Sequence, residues 1–578
     1  MLIRLLRTSL RPYLRQVVLV LAILLVAAVA NLYLPNLNAD IINNGVLKGD
    51  LPYIWRIGGL MLAVTVVLSV VMVVGVYFSS RIAMSVARDL RWAIFNRVQS
   101  FSAQEMSHFG APSLITRNTN DVQQVQLFLV MGLTIMASAP ITAVGGVIMA
   151  VYEDAQLSLL LVVIIPLMIL IIGGLLFFAV PLFRSLQAKI DRINQVLREQ
   201  ITGVRVVRAF VRGEQERQRF EVANEDLTDT ALRVNRIFVV AMPAIMGILN
   251  LSSVAVIWFG GHLVNSGSMP IGNLTAFLSY LMQVLMSVLM AAMMTILIPR
   301  ASACAERIVE VLDSQPTVLE PAEPAVPGAR TGVVELRNVT FKYPGAEHPV
   351  LRNVSLVMRP GQTTAVIGST GSGKSTLANL VMRFFDASEG LVLLDGVDVR
   401  AQPLQAVWDA IGLVPQKAYL FTGTVASNLR LGLAGASEED LWTALKIAQA
   451  ADFVEEMPGK LEEPIAQGGT NVSGGQRQRL AIARALVKKP QVYIFDDCFS
   501  ALDAGTDARL RAALKKPTKD ATSLVISQRV STIMRADQIV VLEDGAVVGS
   551  GTHDELIASC ETYREIVDSQ LRGVETPA

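Results

Sequence analysis

Six long apolar runs constrain this chain more than any other feature. They lie near 16–38, 54–79, 126–151, 156–181, 236–263 and 273–298. A helix that crosses about 30 Å of hydrocarbon needs roughly 20 apolar residues. In lipid its backbone must also satisfy its own hydrogen bonds. Each run is long enough, so residues 1–311 read as a membrane domain of six helices. The third and fourth runs are separated only by Tyr152-Glu153-Asp154-Ala155-Gln156, which is enough for a tight hairpin. Pro140, Pro166 and Pro243 fall inside runs, where neighbouring helices can absorb the lost hydrogen bond. The first run lacks a clear small-residue cleavage site, so it reads as a retained helix and not as a signal peptide.

Basic residues orient the spans. Arg4, Arg7, Arg11 and Arg15 precede the first. Arg81, Arg88, Arg91, Arg97 and Arg117 lie between the second and third. Arg184, Lys189, Arg192, Arg198, Arg205, Arg208 and Arg212 lie between the fourth and fifth, whereas the opposite loops hold only Lys48. Both termini are therefore expected in the cytoplasm of a multi-pass protein of the cell membrane. The two long basic segments have helical periodicity, as in Ile190, Ile193, Val196, Leu197, Ile201, Val204 and Val207. Their tips are expected near Ser113–Asp121 and Gly203–Gly213.

Pro316, Pro321, Pro324 and Pro327 mark 312–332 as a linker. Residues 333–578 then have the composition of a soluble α/β domain. Gly368-Ser369-Thr370-Gly371-Ser372-Gly373-Lys374-Ser375 fits the phosphate-loop pattern G-x-x-x-x-G-K-[ST]. An apolar strand signal, Thr364–Ile367, precedes it, and a helix start at Thr376–Leu380 follows. In that context backbone N–H groups and a helix N-terminus face a phosphate chain. Lys374 is placed to reach the β- and γ-phosphates, and Ser375 to ligate Mg²⁺. The chain is expected to bind a nucleoside triphosphate.

Val492-Tyr493-Ile494-Phe495-Asp496 reads as a strand ending in a carboxylate suited to Mg²⁺. Before it, Val472-Ser473-Gly474-Gly475-Gln476 opens a helix, itself an anion-binding start. One chain cannot easily bring both glycine-rich helix starts to one γ-phosphate. Two facing chains can.

With these motifs in this order, the chain resembles the ATP-binding cassette exporters over its whole length. The resemblance implies the half-transporter layout: a membrane domain of six transmembrane helices, then a cytoplasmic α/β P-loop ATPase domain using ATP and Mg²⁺. It assigns the phosphate contacts to Gly368–Thr376 and an adenine-stacking role to Tyr343. Gln416 becomes the Q-loop glutamine, near both the metal and the reacting water. Ser473, Gly474, Gly475 and Gln476 become the signature, and Ser500-Ala501-Leu502-Asp503 the D-loop. Mg²⁺ falls to Ser375, Gln416 and Asp496. For Tyr343 a surface strand tyrosine is the other reading; its position before the first core strand favours the platform.

Several positions depart from that family pattern: Val472 stands where leucine is usual, Ala466 and Gln467 where an acidic residue usually precedes the signature, and two further departures matter most. Asp497 stands where a glutamate normally polarises the attacking water, and Gln528 where a switch histidine is usual. Aspartate and glutamate have similar basicity, about 3.9 and 4.3. The loss is in reach: one methylene withdraws the carboxylate by roughly 1–1.5 Å, and such a misplacement can cost about a hundredfold in rate. Glutamine donates a hydrogen bond but carries no positive charge. Groups that bind are kept while groups that hydrolyse are weakened, as in one half of a heterodimeric exporter. The expected partner is a homologous half-transporter with the usual glutamate and histidine, its catalytic site completed by the signature of this chain.

In the sixth span Met282, Met286, Met290 and Met293 share a face, with Ser279, Gln283 and Ser287 beside them. A flexible, polarizable wall suits varied apolar shapes. Ordinary helix packing explains the methionines equally well; Gln283, polar at bilayer depth, favours a cavity. The expected cargo is a small amphipathic, drug-like molecule moved outward from the cytoplasm or inner leaflet. A dedicated lipid, peptide or siderophore carrier, and an ATP-gated regulator or channel, remain alternatives. The net charge of +1 gives no reason to expect a nucleic-acid partner, and the six spans exclude a soluble DNA-repair ATPase. Cys304, Cys498 and Cys560 lack metal-ligand spacing and read as reduced.

Overall fold

The structure, a computed structural model, describes residues 1–325, 328 and 330–571. It divides into two compact units. One comprises Met1–Gln99 and Ala111–Ser314; the other comprises Ser100–Gly110 and the chain from Gln315 onward.

The first unit holds six helices long and apolar enough to cross a membrane: Leu2–Val46, Leu51–Gln99, Ala111–Glu153, Leu159–Ala209, Gly213–Asn265 and Ile271–Asp313. The apolar runs lie within them with one displacement. The fourth helix starts at Leu159, because Asp154 Oδ1 accepts the Leu157 N–H at 2.7 Å and holds residues 155–158 in a turn. The fourth and fifth helices have 51 and 53 residues. At 1.5 Å per residue each is about 75–80 Å long, more than twice the hydrocarbon thickness. The long basic segments are thus continuations of the spans.

Polar contacts fix the crossings of this unit. Tyr280, fully buried, donates through its hydroxyl to Leu32 O at 2.9 Å. Asn43 donates to Asn273 at 2.8 Å and accepts the Gly272 N–H at 2.8 Å. A Cβ on Gly272 would lie 2.3 Å from Ala39 O, so the first and sixth helices approach as closely as only glycine permits.

The first tip is not at the expected Ser113–Asp121. Ser113–Asp121 is already inside the third helix, and the chain reverses at Ser100–Gly110 around the short helix Ala103–Phe109. A capping box sets that helix: Ser102 Oγ accepts the Gln104 N–H, and Glu105 accepts the Ser102 N–H at 2.9 Å. Ser-x-x-Glu is legible in the sequence. The second reversal, at Phe210–Arg212 with Val211 at φ 52°, lies within 203–213.

In the second unit the central sheet runs, edge to edge, Ala546–Gly551, Gln538–Glu543, Thr363–Gly368, Thr522–Ile526, Val492–Asp496, Ile411–Val414. All pairings are parallel except the first, which is antiparallel. Alternate residues of its strands feed two cores. Ala365, Ile367, Tyr493, Phe495 and Val525 join one; Val366, Val492, Ile494, Leu524 and Ile526 join the other. Burial on both faces is what a covered parallel sheet requires. A four-stranded antiparallel sheet, in the order Leu351–Met358, Val334–Phe341, Glu389–Leu394, Val397–Asp398, flanks it.

The segment read as a linker is partly tied down. The sixth helix runs to Asp313. Leu319 O then accepts from Arg383 at 2.8 Å, and Glu320 accepts the Leu404 N–H. The Ala325 N–H bonds Ala401 O. Pro327 lies outside the described residues.

Burial pushes the Glu105 carboxyl up, but hydrogen bonds from Ser102 and Thr317 outweigh it and hold the group below its ordinary range. A depressed carboxyl stabilises the folded form above its unfolded pKa, and that stabilisation is lost as pH falls through the folded value. Glu105→Gln should therefore weaken local protection of Ser100–Gly110 at pH 7 by about 1–2 kcal/mol. Hydrogen exchange at pH 7 and pH 4 checks this, with the difference between variant and parent shrinking at pH 4.

Candidate functional site

Strand Thr363–Gly368 is buried at the centre of the sheet and delivers the phosphate loop at its C-terminal end. Two glycines are required there. Gly368 has no room for a Cβ, which would sit 2.1 Å from Leu542 O. Gly373 has φ +99°, and its Cβ would lie 2.6 Å from Leu351 Cδ2 and 2.9 Å from Val350 O. Helix Lys374–Val381 follows. The Lys374 ammonium donates to Gly368 O at 2.9 Å and Ser369 O at 2.6 Å, and reaches Ser372 Oγ at 3.3 Å. Burial lowers the lysine's pKa, while Asp497 and Asp496 oppose that shift.

Ser375 Oγ donates to Asp496 Oδ1 at 3.0 Å. Burial raises the Asp496 carboxyl, the Ser375 hydrogen bond lowers it, and neighbouring Asp497 pushes it up further. Gln416 Nε2 donates to Asp497 Oδ2 at 3.3 Å. Asp497 itself stands in the left-handed region at φ 45°. Its N–H bonds Ile526 O at 2.9 Å, and its carbonyl accepts from Ser500 Oγ at 2.8 Å. A non-glycine residue held at such a φ is strained, and strain of this kind gathers at functional sites.

One cleft of about 310 Å³ collects Gly371, Lys374, Ser375, Gln416, Asp496, Asp497 and Gln528, with Thr370, Gly373 and Thr376. Ser375 and Asp496 offer hard oxygen donors beside a second carboxylate, which fits Mg²⁺ completed by phosphate and water oxygens. Among the described residues no cluster of three His, Cys, Asp or Glu could hold a metal without such help. Tyr343 lies at the edge of the phosphate-loop helix, its hydroxyl 3.0 Å from Thr376 Oγ1 and its ring packed edge-on against Phe341 and Phe385.

The signature stands apart. None of Ser473, Gly474, Gly475 or Gln476 lines that cleft. Ser473 caps helix Gly474–Lys488: its Oγ accepts the Gln476 N–H at 3.2 Å, and Gln476 Oε1 accepts the Ser473 N–H at 2.9 Å. Gln476 is thus engaged as half of a capping box. A Cβ on Gly474 meets nothing within 4 Å, and one on Gly475 meets only ordinary contacts at 3.5 and 3.7 Å. Neither glycine has positive φ. Among the described residues nothing requires glycine at either position. Asp503 caps helix Ala504–Leu514 by accepting the Thr506 N–H at 2.9 Å, and that bond holds its carboxyl below the usual range.

In the sixth helix Met282, Met286, Met290 and Met293 are exposed, at 37%, 44%, 40% and 54%, so ordinary packing within this chain does not use that face. Gln283 is half-buried and accepts from Asn31 Nδ2 of the first helix at 3.3 Å. Ser279 and Ser287 donate to carbonyls of their own helix, Thr275 O and Val284 O. Asn31 was not singled out from the sequence, although an amide in the middle of an apolar run is the signal that finds it.

Comparison with known proteins agrees with this architecture. The profile of the ABC transporter transmembrane region matches residues 17–288, and that of the ABC transporter matches 351–500. An uncharacterised ABC transporter ATP-binding protein of Mycobacterium tuberculosis is 48% identical, over 99% of this chain and 98% of that protein. A multidrug efflux ATP-binding/permease protein of Mycobacterium tuberculosis is 34% identical over 85% of this chain and 41% of its own length. An ATP-dependent lipid A-core flippase of Syntrophus aciditrophicus is 33% identical over 85% of this chain and 82% of that protein. A solved bacterial Atm1-family ABC exporter with ATP bound superposes with a TM-score of 0.79 at 23% identity, covering 96% of this chain and 98% of that one. The chain belongs to the ABC transporter family, as an exporter-type half-transporter: a multi-pass membrane protein whose cytoplasmic ATPase domain couples ATP to transport.

The glycines divide into two kinds, and substitution separates them. Gly373→Ala should destabilise the ATPase domain by about 2–4 kcal/mol through its φ and its clash with Val350 and Leu351. Gly475→Ala should stay within about 0.5 kcal/mol and leave ATP affinity at Lys374 unchanged. Thermal unfolding and nucleotide titration of the two variants check both outcomes.

Proposed function

We propose that this chain is the ATP-retaining, weakly hydrolytic half of a heterodimeric exporter, whose signature acts on the nucleotide bound by its partner. The observation that carries this is the makeup of the phosphate cleft. Asp497 and Gln528 share it with Lys374, Ser375, Asp496 and Gln416, while no signature residue reaches it. The groups that bind a triphosphate are in place. The carboxylate that should polarise water is one methylene short, and the switch position has no ionisable side chain.

Bound Mg²⁺ supplies charge neutralisation between phosphates; Ser375 and Asp496 are the residues that hold it, with Gln416 alongside. Lys374 positions the β- and γ-phosphates. Gln416, hydrogen-bonded to Asp497, orients a carboxylate that lacks the reach to draw a proton from water in line with the γ-phosphate. Gly474 and Gly475 find their reason outside the chain: a bare helix start lets a second chain's triphosphate approach the backbone N–H groups. The partner is a homologous half-transporter carrying the glutamate and histidine that this chain lacks.

The exposed methionine face, with Asn31 and Gln283 at its margin, favours small amphipathic cargo taken from the cytoplasm or inner leaflet. A dedicated lipid carrier is the second reading, supported by the relative named as a lipid A-core flippase.

Two substitutions in the assembled exporter test the division of labour. Gly475→Glu puts bulk and negative charge against the partner's triphosphate and should abolish nearly all steady-state ATPase activity and transport, while ATP is still retained at Lys374. Lys374→Ala should reduce retention at the site of this chain and leave partial turnover. A mild Gly475→Glu beside a severe Lys374→Ala would reverse the assignment of the two halves.

A further inference from the structure

The N-terminal segment ahead of the first span carries charge that the protein itself leaves unused. Helix Leu2–Leu10 is strongly amphipathic: Leu2 and Leu5 are buried, and Arg4 and Arg7 lie on its polar side. The turn Arg11–Tyr13 then bends the chain into helix Leu14–Asp40. That bend is locked. Arg4 forms a two-pronged ion pair with Asp313, and the Tyr13 hydroxyl donates to Asp89 at 2.6 Å, where Arg88 also binds. The carboxylates of Asp313 and Asp89 are therefore taken. Arg7 and Arg11 have no acidic partner among the described residues.

Arg7 and Arg11 line a cleft of about 730 Å³, with Thr8, Leu10, Leu14 and Val17 completing its wall; the Thr8 hydroxyl is already engaged, donating to Arg4 O at 3.0 Å. Its lining holds two cations, and its Leu14 and Val17 belong to helix Leu14–Asp40. An even number of spans separates this segment from the cytoplasmic ATPase domain, so the cleft lies at the cytoplasmic surface of the bilayer, where anionic lipids concentrate.

We infer that this cleft binds one anionic phospholipid of the cytoplasmic leaflet. Arg7 and Arg11 hold the phosphate, and an acyl chain lies along Leu14 and Val17. A phosphodiester suits two guanidinium forks, and an interfacial amphipathic helix presents them at headgroup depth. The site is separate from the phosphate cleft of the ATPase domain and from the methionine face.

Native mass spectrometry of the full-length protein, titrated with phosphatidylglycerol or phosphatidylcholine in detergent, tests this. The parent should bind one phosphatidylglycerol at least tenfold more tightly than phosphatidylcholine. Arg7→Gln combined with Arg11→Gln should weaken phosphatidylglycerol roughly thirtyfold, the combined effect of two basic residues near an anionic surface, and bring the two lipids level. Arg7→Lys with Arg11→Lys should recover most of the preference, which shows that the charge and not the fold was lost. Arg198→Gln with Arg233→Gln, equal in net charge change and remote in sequence, should leave it intact. Unchanged phosphatidylglycerol affinity in the double glutamine variant overturns the inference. So does complete displacement of the lipid by millimolar inorganic phosphate, which would make the cleft a site for free phosphate.

Discussion

The hydrogen bond from Ser375 to Asp496 joins the helix that follows the phosphate loop to the end of a strand two places away in the sheet. It brings a half-buried carboxylate, with a second one next in sequence, to the mouth of an anion-binding loop. Such a pair of charges is costly unless a cation sits between it and a phosphate chain. The parallel sheet makes the arrangement possible by ending its central strands at one edge. The two cores, fed by alternate residues of those strands, hold the edge rigid. Chemistry at this site is then decided by which side chains the loops add around that fixed centre.

In the function proposed here, two of those loops add weak groups. Asp497 sits in a left-handed backbone conformation, tied through Ile526 and Ser500, so a shorter side chain cannot be offset by sliding the loop forward. Gln528 belongs to a loop that Gln570 clasps, donating to Gln528 O at 2.7 Å and accepting the Val530 N–H at 2.8 Å. On that proposal the departures fall on the groups that handle protons, while both cores of the domain stay packed. Structural decay would instead have spread into the cores.

Much of this was legible beforehand, for identifiable reasons. Apolar runs of membrane length have few alternative fates, and the phosphate loop, strand carboxylate and signature are short motifs with strict chemistry. The first chain reversal was misplaced at Ser113–Asp121, a polar stretch that the structure keeps helical; the deciding signal was local, the Ser102–Glu105 capping box. The start of the fourth helix depended on one Asp154 side chain competing for a backbone N–H. The partnership of Asn31 with Gln283 joins residues 252 apart in sequence and follows from helix packing that no local pattern reveals. The spare room at Gly474 and Gly475 is likewise visible only in three dimensions, and it turns a motif into an argument for a second chain.

The most direct measurement is the location of the nucleotide caught at the moment of hydrolysis. The assembled exporter would be turned over with a photoreactive ATP analogue, trapped with vanadate and cross-linked, and the labelled chain identified by peptide mapping. The account predicts the trapped label on the partner's phosphate loop, with this chain carrying uncleaved triphosphate. Vanadate-dependent label concentrated within Gly368–Thr376 of this chain would contradict it.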